Sequence, residues 1–224
     1  MKHAVVIGSG PAGLMAAEVL AQAGIAVTVC DAKPPVGRKF LMAGKSGLNI
    51  TKAEDEEAFQ ASYTDAATWL APMLAAFDPD TVQSWARGLE QELFTGTTGR
   101  VFPKAMKASP LLRAWLARLD ALGVTFNTRW RWTGLAEGRA QFDTPEGVQN
   151  LHADATILAL GGASWRRAVT MRKSATIRSM PKCCPLTCCG QSCHFSAQRI
   201  LTRVPIAGCG SICSGWPRFH MSWR

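Results

Sequence analysis

His3-Ala4-Val5-Val6-Ile7-Gly8-Ser9-Gly10-Pro11-Ala12-Gly13-Leu14-Met15-Ala16-Ala17 decides the fold. Ala4 to Ile7 is a short apolar run with β-branched residues, the pattern of a strand buried on both faces. Gly8-x-Gly10-x-x-Gly13 follows at once, and Leu14 to Ala23 reads as a helix. Between a strand and a helix, each glycine has a task. Gly8 permits the tight exit from the strand, Gly10 lets a pyrophosphate approach the backbone, and Gly13 lets the helix pack closely. The helix start, with Pro11 and Ala12 at its mouth, offers free N–H groups and a positive dipole end to phosphate. Gly24 ends the helix, and Ile25 to Cys30 reads as a second strand that delivers Asp31. A carboxylate at that place can accept hydrogen bonds from both ribose hydroxyls of an adenosine. Ala32 and Lys33 follow at the rim of the same site. The expectation is an α/β unit that binds a dinucleotide on a parallel sheet.

The chain has 224 residues, enough for one good core or for one domain and an appendage. No apolar run is long and clean enough to span a bilayer. Met1-Lys2 before apolar residues mimics a secretion signal, but the glycines and Pro11 interrupt its apolar region, so a cytoplasmic protein is expected. The formal charge of +9 is unevenly spread. Residues 165–224 hold ten Lys and Arg and no Asp or Glu, whereas the rest of the chain is close to neutral. Cysteine divides at the same place: Cys30 stands alone before residue 165 and seven follow it.

After Asp31, Pro34 and Pro35 stop the strand, and Gly37-Arg38-Lys39 follows. Arg38 and Lys39 are expected to neutralise cofactor phosphates. Gly44-Lys45-Ser46-Gly47-Leu48-Asn49-Ile50-Thr51 is a second glycine-rich polar loop. Its small residues would admit a flat ring system, with Asn49 and Thr51 hydrogen-bonding to it. Glu54 to Phe59 and Ala66 to Phe77 have helical patterns. Asp78-Pro79-Asp80 is a helix start, with an Asp cap and Pro in the first position, for a helix to about Leu89. Trp69, Leu70, Met73, Leu74, Phe77, Val82 and Trp85 are expected in the core by helical periodicity.

Three of these segments, Gly8 to Gly13, Gly37 to Lys39 and Gly44 to Thr51, together resemble the BaiN-like (YhiN-type) FAD-dependent oxidoreductases, also described as aminoacetone-oxidase-family flavoproteins. Lys45, Ser46 and Leu48 stand where that family more often has glycine, glycine and cysteine. The resemblance implies FAD as cofactor, with NAD(P)H as a candidate electron donor. Gly99-Arg100-Val101-Phe102-Pro103 also resembles the family, in which this segment lies near the flavin and its substrate. From the residues alone, Arg100 and Lys104 are two cations on a turn.

Ser109-Pro110 is expected to cap a helix through Leu122, with Gly123 as its stop and a strand from Val124 to Asn127. Residues 128–153 alternate and turn, as in a small antiparallel meander. Arg129-Trp130-Arg131-Trp132 is then one strand with two faces, a better reading than nucleic-acid binding. In related two-dinucleotide-fold flavoproteins the backbone near Trp130 touches the adenine. Ala155 to Leu160 is a buried strand running into Gly161 and Gly162, which resembles the family element that returns backbone to the FAD phosphates. Leu160 stands where threonine is usual. His3 and His152 read as surface residues without assigned chemistry.

After Trp165 the family pattern stops. The expected division is therefore an incomplete FAD-binding domain over 1–164 and a basic, cysteine-rich tail over 165–224. A frameshift with a premature stop explains the tail, since Arg, Cys, Ser, Pro and Trp are what a high-GC frame yields out of register. A zinc site from Cys183, Cys184, Cys188, Cys189, Cys193 and His194 competes with it, but the spacing lacks standard ligand pairs. A basic nucleic-acid-binding appendage is the third reading. The expected protein is the FAD-binding portion of an oxidoreductase with an unidentified small-molecule substrate. No catalytic acid or base and no metal ligand is assigned. The rival is an NAD(P)-binding protein without flavin.

Overall fold

In the computed structural model, residues 2–43 and 47–162 are described. The opening stretch folds as its pattern dictates. Strand β1 (His3–Ile7) leads into α1 (Pro11–Gln22), which returns to β2 (Ala26–Asp31). β1 and β2 pair in parallel, Ile7 opposite Cys30. β6 (Thr125–Thr128) adds beside β2 and β10 (Ala155–Leu158) beside β1, both parallel. The resulting sheet has the order β10-β1-β2-β6.

Alternation along the central strands sends side chains to two cores. Val6, Val27 and Val29 face one side, where Leu14 and Ala17 of α1 join Leu111, Leu112, Trp115 and Leu119. These last four come from α6 (Ala108–Ala121). Val5, Ile7 and Cys30 face the other side and meet Ala140 and Phe142. That second layer is the expected meander: β7 (Arg131–Ala136), β8 (Arg139–Thr144) and β9 (Gly147–Leu151), antiparallel in sequence order. The molecule is thus layered as helices, parallel sheet and antiparallel sheet, the expected α/β class.

A second small sheet lies outside the parallel one. It is β3 (Thr51–Lys52), β4 (Leu93–Thr95) and β5 (Arg100–Pro103), in the order β3-β5-β4. Arg100 therefore begins a strand rather than lying on a turn. Four further α-helices, α2 (Arg38–Ala43), α3 (Glu56–Ala61), α4 (Ala67–Ala76) and α5 (Pro79–Arg87), and a 3-10 turn at Thr64–Ala66 lie in the described part. Asp78 caps α5 as expected, its carboxylate accepting from the Thr81 N–H at 2.7 Å. Lys107, and not Ser109, occupies the cap position of α6, and no side chain caps that helix.

Three more expectations are corrected. α4 buries none of its residues, and Trp69 is 53% exposed, so its apolar stripe is not core; Val82 of α5 is buried. Arg129 has a φ of 63°, which breaks the chain between β6 and β7. Arg129-Trp130-Arg131-Trp132 is therefore a corner between two sheets, with the Trp130 N–H donating to the Asp31 carbonyl at 2.9 Å. His3 is half-buried, its Nε2 2.9 Å from Thr28 Oγ1 and its Nδ1 3.1 Å from the His152 carbonyl. The tail readings fall outside the described residues. Among the described residues no helix is long and apolar enough to cross a membrane.

Candidate cofactor-binding site

The glycine turn sits where the C-terminal ends of β1 and β2 meet α1. Gly8 has a φ of 110°, and a side chain there would run into the Ala159 carbonyl oxygen. A Cβ on Gly13 would strike the Gly8 carbonyl oxygen, so α1 is seated directly on the strand exit. Gly10 differs: a Cβ there would meet nothing within 4 Å. That open backbone is the N-cap of α1, with Pro11 behind it and no side-chain hydrogen bond closing the helix end. The first N–H groups of α1 are the donors such an end presents to an anion.

Asp31 stands at the end of β2, beside this mouth. Its Oδ2 accepts from the Ser9 N–H at 2.8 Å and the Ser9 hydroxyl at 2.6 Å, and its Oδ1 accepts from the Lys33 N–H at 2.8 Å. The carboxylate is held in one orientation by the turn on one side and the chain after β2 on the other. Each carboxylate oxygen has two lone-pair sites, so one remains, on Oδ1, for a ribose hydroxyl. Ala32 and Lys33 are exposed at the rim.

Gly37 continues the turn, its N–H donating to the Ser9 carbonyl at 3.0 Å. It starts α2, where Arg38 is exposed and Lys39 half-buried. Lys39 Nζ lies 3.3 Å from the Gly162 carbonyl, and a Cβ on Gly161 would approach that ammonium to 2.8 Å. The structure thus gathers Lys39, Gly161 and Gly162, with the cation above the glycines that follow β10.

Asn49 and Thr51 separate. The Asn49 Oδ1 is buried and has no hydrogen-bond partner among the described residues. An orphaned buried oxygen costs free energy, and a ligand donor at that point removes the cost. Thr51 is buried in β3 opposite Val101 and lines a small apolar cavity with Phe59, Leu74, Phe77 and Val82. Trp130 packs on Phe142, ring centroids 5.5 Å apart, beside the Asp31 backbone.

Sequence reasoning passed over two features. Cys30 precedes Asp31 and is fully buried; burial pushes its thiol up to about 12, which leaves it a protonated core residue. Glu18 of α1 is buried, accepting from Trp115 Nε1 at 2.6 Å, Trp85 Nε1 at 3.1 Å and Arg118 Nη1 at 2.9 Å. One carboxylate therefore ties α1 to α5 and α6. The clue was its place on the inner face of α1, where an acid needs a buried partner.

The HI0933-like protein Rossmann domain matches residues 2–180. The chain belongs to the HI0933-like family. This is a family of FAD-binding flavoproteins. A ribosomal RNA dihydrouridine synthase of Haemophilus influenzae is 46% identical over 50 residues, 22% of this chain and 12% of that enzyme. The open conformation of a flavocytochrome c3 fumarate reductase superposes with a TM-score of 0.57 at 21% identity, covering 72% of this chain and 34% of that one. The 3-ketosteroid-Δ4-(5α)-dehydrogenase of Rhodococcus jostii RHA1 gives 0.50 at 16% identity, over 72% and 46% of the two chains. At these identities the two structures share the fold. The HI0933-like chain spans well under two thirds of each relative's length.

The site fits an adenine dinucleotide on its own geometry. The helix mouth is open at Gly10, and Asp31 is oriented beside it.

Proposed function

We propose that this chain is the FAD-binding portion of a cytoplasmic oxidoreductase of the BaiN/YhiN type. The observation that carries the reading is the uncapped start of α1 over an unobstructed Gly10, with Asp31 locked beside it. Gly8, Gly10, Pro11, Ala12 and Gly13 shape the diphosphate seat, and Asp31, Ala32 and Lys33 border the adenosine ribose. Arg38 and Lys39 offset phosphate charge, with Gly161 and Gly162 as the facing backbone. Asn49 supplies an acceptor toward the flavin ring, Thr51 supports that loop, and Trp130 lies on the adenine side. When bound, FAD supplies hydride chemistry, and these residues bind, orient and tune it. NAD(P)H is the proposed donor and a small molecule the proposed acceptor.

A second reading concerns the acceptor alone. The 50-residue likeness to a ribosomal RNA dihydrouridine synthase favours a uracil ring within RNA as the group reduced.

Reconstitution with FAD followed by anaerobic addition of NADH or NADPH tests the proposal. Bound flavin that bleaches with one nicotinamide and recovers its colour on adding the acceptor supports it. A chain that binds NADPH tightly and leaves FAD in solution refutes it and favours the flavin-free rival.

A further inference from the structure

The small sheet has two faces of opposite character. Thr51, Val101, Pro103 and Leu93 are cross-strand partners on its inner side, and Val101 is fully buried. Residues directly opposite in an antiparallel pair share a face. The register Lys52 to Arg100 and Phe102 to Phe94 therefore gathers two cations and two aromatic rings on the outer side. The Phe94 and Phe102 rings stack with centroids 5.7 Å apart and planes 25° from parallel, and Phe94 is 39% exposed. This face adjoins the proposed flavin loop, because a Cβ on Gly47 would lie 3.8 Å from the Phe102 ring. Met106, also 39% exposed, borders it.

Like charges directly opposite each other in a sheet cost stability. Lys52 is relieved by an ion pair with Glu54, and Lys104 beyond the sheet by one with Glu92, yet the Lys52–Arg100 juxtaposition remains. A polyanion removes that cost. Stacked rings on a sheet face beside cations are the means by which single-stranded nucleic acid is held, the bases on the rings and the phosphates on the cations.

We propose that the outer face of β3-β5-β4 is a platform for single-stranded RNA. A base stacks on Phe94 and Phe102, and Arg100 and Lys52 take the flanking phosphates. This rests on the reading of uracil in RNA as hydride acceptor, and places that acceptor's strand beside the flavin loop.

The test uses the full chain reconstituted with FAD, a labelled uridine-rich single-stranded RNA and a duplex RNA of equal length. The duplex reports attraction to the basic tail, which no variant alters. Phe94→Leu changes one exposed ring, and Phe94→Leu/Phe102→Leu removes both π-faces while keeping apolar bulk. The double variant is expected to lose about tenfold or more in single-strand affinity, with duplex affinity unchanged. Arg100→Gln is expected to lower the slope of log K against log salt by about 0.7, the share of one phosphate contact. Wild-type binding that neither Leu variant weakens overturns the platform and leaves the RNA acceptor standing. A wild-type chain that shows no preference for single-stranded over duplex RNA overturns both. Equal flavin content across the variants establishes that the fold is kept, and Phe94→Leu alone decides the matter if the double variant loses flavin.

Discussion

The Ser9 hydroxyl donates to Asp31 Oδ2 across 2.6 Å, joining the glycine turn to the end of the neighbouring strand. The Ser9 N–H reaches the same oxygen, so the carboxylate is aimed before any ribose arrives. Ser9→Ala removes one of these two bonds. It is expected to weaken FAD binding roughly fivefold, for a loss of about 1 kcal/mol. FMN lacks the adenosine, so its affinity is expected to stay the same. Parallel titrations of FAD and FMN check this, and an equal loss for both would show a general disturbance of the turn.

Gly10 and Gly13 separate binding from folding. A Cβ at Gly13 meets a backbone oxygen that cannot swing aside, so Gly13→Ala is expected to unfold or strongly destabilise the chain. Gly10→Val places its bulk in open space at the helix mouth. It is expected to keep the thermal midpoint of the flavin-free chain and lose FAD. Circular dichroism melts beside flavin retention distinguish the two outcomes.

Glu18→Ala leaves two indole N–H groups and a partly buried guanidinium without their acceptor. Breaking a buried pair from one side costs about 3–5 kcal/mol. Glu18→Gln keeps an acceptor oxygen for one indole and is expected to lose less. Urea unfolding midpoints at constant slope measure both.

Acid stability follows from Asp78 and Asp154. Hydrogen bonds from Thr81 hold the Asp78 carboxyl below its ordinary range, and the His3 N–H does the same for Asp154. A depressed folded-state pKa contributes stability above the unfolded pKa, and that contribution is lost as pH falls through the folded value. Asp78→Asn keeps a capping oxygen but does not titrate. Its thermal midpoint is expected to fall less steeply than that of the wild type as the solution is acidified below the ordinary carboxylate range.

Cys30 is expected to resist alkylation in the folded chain and to react once denatured, since burial keeps its thiol protonated at neutral pH. Peptide mass spectrometry that follows the Cys30 peptide by itself reads this without interference from the seven later cysteines.

The sequence pattern was most legible where local chemistry and tertiary demand agree. The β-branched run, the three glycines and Asp31 are constrained by both, and their positions in β1, α1 and β2 match the expectation. Alternation and paired turns revealed the meander for the same reason. Periodicity failed at Trp69, because an apolar stripe shows a preference for burial but not whether a neighbour supplies the surface. It failed at Arg129, because period-two spacing cannot show a single left-handed residue that turns a strand into a corner. Glu18 was silent because its partners lie 67 to 100 positions away in sequence. At the site, the burial of Thr51 depends on pairing with Val101, which no local signal encodes.

The opening turn as a diphosphate seat is the claim on which the rest depends. Calorimetric titration of FAD into the full chain, and into its Gly10→Val variant, tests it most directly. One FAD per wild-type chain with binding abolished in the variant, at equal thermal stability of the two flavin-free chains, is the expected result. Equal FAD affinity in the two chains would contradict it.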